Sequence, residues 1–99
     1  MSLRSIVIEI PDLKTGFDIE DTLTANIKAQ LKLRGMNYTD LSVALRALGY
    51  EQKPASIYSK LSRGGYSAKF LIACLAAAHA TTIELRVPAQ RQDGRHLPR

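Results

Sequence analysis

A chain of 99 residues, 45% hydrophobic and 23% charged with six glycines and four prolines, has ordinary globular usage and room for one hydrophobic core. Its net charge of +5, from 14 Lys and Arg against 9 Asp and Glu, favours a polyanionic partner such as nucleic acid or an acidic membrane surface. The single cysteine, Cys74, excludes an internal disulfide and, with only His79 and His96 beside it, a structural zinc site, while the longest apolar run, over residues 70–78, is far short of the ~20 residues that span a bilayer.

The lone thiol makes a reducing, cytoplasmic setting the expectation, and the first residues lack the apolar core and small-residue cleavage site of a signal peptide. Residues 5–10, SIVIEI, are β-branched and stopped by Pro11, which predicts a strand with Ile6, Ile8 and Ile10 on one face and Val7 and Glu9 on the other. A loop over residues 12–17 leads to Asp18, an N-cap with Glu20 and Asp21 in the following turn. Leu23, Ile27 and Leu31 then recur at the spacing of a first helix, which ends at Arg34 and Gly35. Asn37 or Thr39 caps a second helix, whose stripe of Leu41, Ala44, Leu45 and Leu48 is stopped by Gly49.

Pro54 opens a third helix that runs to Arg63. Its only apolar pair is Ile57 and Leu61, and the opposite side carries Ala55, Ser56, Ser59, Ser62 and Arg63. Gly64 and Gly65 break it. Ser67 caps a fourth helix with a broad apolar face of Phe70, Leu71, Cys74, Leu75 and Ala78, the expected core element. The run TTIELRV predicts a second strand, with Ile83, Leu85 and Val87 alternating against Thr82, Glu84 and Arg86, closed by Pro88. The reading is one domain over residues 1–88 followed by a flexible basic tail over residues 89–99.

Charge is unevenly spread along this plan. Residues 1–21 carry Arg4 and Lys14 against five carboxylates, a net −3; residues 22–69 carry eight cations against Asp40 and Glu51, a net +6; the remainder carries +2. The excess belongs to the helical centre, which argues for a footprint on phosphate. Lys28, Lys32 and Arg34 of the first helix read more simply as a solvated face.

A thin polar helix between two apolar ones is the pattern a helix-turn-helix needs, because the third helix must bury a narrow stripe and still fit the major groove. The stretches IKAQLKLRGMNYTDLSVAL and SIYSKLSRGGYSAKFLIACLAAA resemble the phage lambda repressor-like (Cro-type, xenobiotic-response-element-type) helix-turn-helix family over roughly residues 23–82. Within it the chain is most similar to a poorly characterised group of small bacterial proteins with an LxxRG…LSRG…S arrangement. The resemblance implies a mainly α fold, a four-helix helix-turn-helix core with short flanking N- and C-terminal β-strands, and a bacterial or phage transcriptional regulator that binds double-stranded DNA without a cofactor. Three features depart from the family pattern. Seven residues separate Gly49 from Ile57 where the usual turn is tight, Ser42 stands where alanine is usual, and the outward residues of the third helix are mostly Ser and Ala.

The base-edge candidates are Ala55, Ser56, Ser59, Ser62 and Arg63. The phosphate candidates are Lys53, Tyr58, Lys60, Tyr66, Ser67 and Lys69, with backbone amides at the start of the fourth helix. Ser and Ala make none of the bidentate base pairs worth ~1–3 kcal/mol of discrimination, which shifts specificity toward Lys53, Arg63 and DNA shape.

Catalysis is not expected: neither His79 nor His96 stands near a nucleophile by sequence, and Cys74 falls on an apolar face where a thiol is unreactive. Two lone strands at opposite ends of the chain need partners. Antiparallel pairing within one chain leaves two edges, so a homodimer through the strands at residues 6–10 and 83–87 (Ile6 and Ile10, Ile83 and Val87) is expected, with strands capping a monomer's helical core as the simpler arrangement. The alternative function is a protein-interaction module, antitoxin-like or a phage accessory protein, that engages another polypeptide with its strands and tail. A ribbon-helix-helix reading ranks last, because it would point Glu9 at phosphates.

Overall fold

A computed structural model describes residues 5–10 and 19–87; the Asp18 cap, the loop over residues 12–17, Pro88, His96 and the tail lie outside the described residues. In chain order the elements are β1 (Ser5–Glu9), α1 (Ile19–Arg34), α2 (Tyr38–Ala47), α3 (Pro54–Arg63), α4 (Ala68–Ala77) and β2 (Thr82–Arg86). The protein is thus mainly helical, four helices accompanied by a short two-stranded sheet.

Local chemistry sets the helix ends. After α1, the Met36 amide donates to the Leu31 carbonyl at 2.9 Å and the Gly35 amide to Lys32 at 3.1 Å, a Schellman closure. Asn37, and not Thr39, caps α2: its side chain accepts from the Asp40 amide at 2.8 Å, while Asp40 accepts from the Asn37 amide at 3.0 Å. Gly49, at φ 85°, ends α2 with the same closure, Tyr50 donating to Leu45. The expected apolar stripe of α2 therefore stops at Leu45. Leu48 is exposed because the chain has begun to leave the helix and no longer follows its 100° step. At the end of α4 the left-handed position is filled by His79, at φ 70°, with Ala80 donating to Leu75 and His79 to Ala76.

Packing follows the periodicity of the apolar residues. Ile27 and Leu31 of α1, Leu41 and Leu45 of α2, and Ile57 and Leu61 of α3 close around Phe70, Cys74 and Leu75 of α4. Each such large apolar side chain, once buried, contributes roughly 1.5–3 kcal/mol. Ile6 and Ile8 extend this core onto β1, against which α1 packs.

The strands pair within the chain and in parallel, with Ile6 opposite Ile83 and Ile8 opposite Leu85, where antiparallel geometry was the intramolecular expectation. Parallel pairing requires a long crossover, and the four helices between the strands supply it. The two strands are unequally covered. β1 buries its isoleucines, whereas Ile83 is half-buried, Leu85 is 54% exposed and Val87 61% exposed. On the other sheet face, Arg86 bonds Glu84 at 2.9 Å and Glu9 at 3.3 Å, and these bonds raise the guanidinium pKa, Glu84 contributing most.

Candidate functional site

Ile57 and Leu61 fix the orientation of α3 by fitting into the core, which turns Ala55, Ser56, Ser62 and Arg63 outward. The longer connection from α2 is secured at one point: the buried Ser42 hydroxyl donates to the Gln52 carbonyl. The small residue at position 42 thus lets the connection lie close on α2 and also anchors it. The Gln52 side-chain oxygen accepts from Lys60 Nζ at 2.9 Å, and that ammonium lies 5.3 Å from the Phe70 ring centroid. Lys60 therefore bridges the connection, α3 and the core edge while keeping its charge.

Between the connection and α3 lies an open concavity of about 600 Å³, lined by Glu51, Gln52, Lys53, Ala55, Ser56, Ser59, Lys60 and Arg63. Six of the residues singled out from the sequence meet here: Lys53, Ala55, Ser56, Ser59, Lys60 and Arg63. Three cations surround a floor of small hydroxyl and methyl groups. The one carboxylate in the lining, Glu51, is engaged by Arg46 at 3.1 Å, an exposed pair of small energetic weight. Among the described residues no ion pair holds Lys53 or Arg63.

The other candidates stand elsewhere. Ser62 is exposed on α3 but outside the concavity. Tyr58 is exposed and packs its ring against Tyr38, 6.3 Å between centroids. Tyr66 is half-buried, shares a 2.7 Å hydrogen bond with Thr24 and rests on Phe70, so it closes the core edge. Lys69 is exposed, with its ammonium over the Tyr50 ring at 5.1 Å. Ser67 uses its oxygen to accept the Phe70 amide at 3.1 Å, which removes one of the backbone donors expected at the start of α4.

The start of α3 is the more open helix end. Lys53 makes no side-chain cap there and Pro54 has no amide hydrogen, so α3 begins without a capping side chain, beside the concavity that Ala55 and Ser56 line. Sequence reading missed this, and it missed Gln52. Gln52 lies ten residues from Ser42 and eight from Lys60 across a helix boundary, so no helical period links the three.

Behind the concavity, burial pushes the Cys74 thiol up to about 12, with the Lys60 charge lowering it by a smaller amount. A thiol so protonated is a packing group. Among the described residues there is no group of three or more His, Cys, Asp or Glu that could hold a metal ion, and no helix long and apolar enough to cross a membrane.

Residues 20–83, from the first turn of α1 into β2, match a family described as a domain of unknown function, DUF6471. The chain belongs to that family. The match takes in all four helices and the whole concavity and leaves β1 outside. No curated protein matches the chain, and no solved structure does.

Proposed function

We propose that this protein binds double-stranded DNA as a transcriptional regulator, with α3 in the major groove in the manner of a lambda repressor-like helix-turn-helix. The observation that carries the reading is the concavity on α3, where Lys53, Lys60 and Arg63 surround Ala55, Ser56 and Ser59. A slender helix with methyl and hydroxyl groups can approach base edges closely, and flanking cations together with the uncapped start of α3 suit phosphate. The reading assigns no catalysis and no cofactor to the protein.

Binding to mixed-sequence duplex across a salt series tests it. The logarithm of affinity should fall linearly with log salt, and Lys53→Ala and Arg63→Ala should each reduce the slope by about 0.9. Absence of binding at low salt, or slopes unaltered in both variants, overturns the reading.

A second reading, a protein-interaction module, is favoured by a different observation. An apolar groove of about 420 Å³ lies between the sheet and the helices, lined by Ile10, Ile19, Leu23, Leu71, Leu85 and Val87 among others. Retention of a protein partner by variants that lose DNA binding would separate the two.

A further inference from the structure

Among the described residues the sheet stops at β2, and two strands alone are marginal in water. The Ile10 amide donates to the Arg86 carbonyl at 2.8 Å, and Arg86 is in register with Glu9. Successive residues of a strand turn their backbone groups to opposite sides, so Glu84 and Arg86 direct N–H and C=O toward β1 while Ile83, Leu85 and Val87 direct theirs outward. Among the described residues nothing pairs with that outer edge. The same three residues form the apolar row, and Leu85 and Val87 remain more than half exposed.

We propose that a second copy of this chain pairs antiparallel with the outer edge of β2 across a two-fold axis at Leu85, giving a four-stranded sheet in the order β1-β2-β2-β1. Symmetry and charge select that register. A two-fold axis perpendicular to the sheet makes two copies of one strand antiparallel, and because only alternate residues present outward groups it must lie midway between a residue and its own copy. Centred on Leu85, it sets Leu85 against its own copy and Ile83 against Val87 of the partner subunit. Each of these residues then exchanges its outward N–H and C=O with the residue opposite. On the charged face the same register places Glu84 opposite Arg86 of the partner subunit, twice by symmetry. Axes at Glu84 or Arg86 would set like charges face to face, which is unfavourable. Edge strands that avoid partners carry charges of one sign or a proline within them, whereas the alternating signs of TIELR are self-complementary.

This gives a register to the homodimer expected from the sequence, and it does not depend on DNA binding. It also differs from strand exchange, since β1 keeps its place beside β2 of its own chain.

The test measures association of the full chain by light scattering from micromolar to millimolar concentration, with Glu84→Arg and Arg86→Glu alone and mixed. Wild type should dimerise, and each reversal should weaken self-association by about tenfold or more through its two like-charge pairs. The equimolar mixture should recover the dimer, because opposite charges again face each other. A monomeric wild type overturns the proposal, as does a dimer indifferent to both reversals or a mixture that stays monomeric. Hydrogen exchange on wild type covers the case of a misfolded variant: the Ile83, Leu85 and Val87 amides should gain protection with concentration while those of Glu84 and Arg86 stay constant. No such difference refutes the edge. Loss of DNA binding by a chain that still dimerises would count against the DNA reading alone.

Discussion

Replacing His79 by glycine should stabilise the protein. His79 is exposed and occupies the left-handed position after α4, at φ 70°, with its amide donating to Ala76 at 2.8 Å and the following amide to Leu75 at 3.0 Å. The equivalent closures of α1 and α2 use Gly35 and Gly49. A left-handed backbone costs a residue with a Cβ roughly 1–2 kcal/mol, and the greater freedom of glycine in the unfolded chain returns about 0.4–1 kcal/mol of that. The balance is a gain of about 0.5–1 kcal/mol. At roughly 4–8 °C per kcal/mol for a domain of up to 100 residues, the melting temperature should rise by several degrees. Scanning calorimetry of His79→Gly beside His79→Ala reads this directly, because alanine retains the strained backbone and should melt close to wild type. A glycine variant that melts at or below the wild-type temperature refutes the reasoning, since the imidazole would then contribute more than the backbone costs.

Two further perturbations address burial and close approach. With the Cys74 thiol held near 12 in the folded chain and free to ionise near 9 when unfolded, the folded state keeps a proton the unfolded state releases. Stability present below pH 9 should therefore decline as pH rises toward 12, by at most about 1.4 kcal/mol per unit, and Cys74→Ala should remove that share in urea titrations; an identical slope in the variant refutes the assignment. Gly64 sits at φ 73° and ψ −166°, a region open essentially to glycine, and a Cβ there would lie 2.7 Å from Glu20 Oε1. Gly64→Ala should cost about 1–3 kcal/mol, and a denaturation midpoint equal to wild type would contradict it.

The helices were legible because their signals are local. Asn37 with Asp40, Pro54, Ser67 and the glycines that follow α1, α2 and α3 each act within one turn, so the bounds of α3 follow from the chain alone. The core was legible for the same reason: Ile27 with Leu31 and Ile57 with Leu61 are one helical turn apart. What escaped depends on pairs distant in sequence. Nothing in TTIELRV tells whether its partner runs parallel, and alternation alone puts Leu85 in the core although no described helix covers it. At the concavity, residues contributed by α3 were found from its face, while Gln52 was missed because Ser42 and Lys60 hold it from two other elements. Tyr66 shows the converse, since its reach toward phosphate is plausible along α4 until Thr24, 42 residues earlier, takes its hydroxyl.

The composition of α3 makes selectivity among DNA sequences, if both proposals hold, depend on the dimer. A floor of Ala55, Ser56 and Ser59 makes close contact but supplies none of the bidentate pairs that discriminate bases by ~1–3 kcal/mol each, so one copy would hold DNA largely through Lys53, Lys60 and Arg63. Phosphate contacts fix position and carry little sequence information. Linking two such helices through β2 adds the small discrimination of each half-site and imposes a spacing requirement, so a weak reader becomes selective for paired sites at one separation. A monomer with this face would bind with little preference among sequences. The salt slope per chain would be the same in either state, and only the dependence of affinity on half-site spacing distinguishes them. Charge reversal at β2 should therefore erase spacing dependence and leave the salt slope per chain intact, a separation that neither Lys53→Ala nor Arg63→Ala can produce.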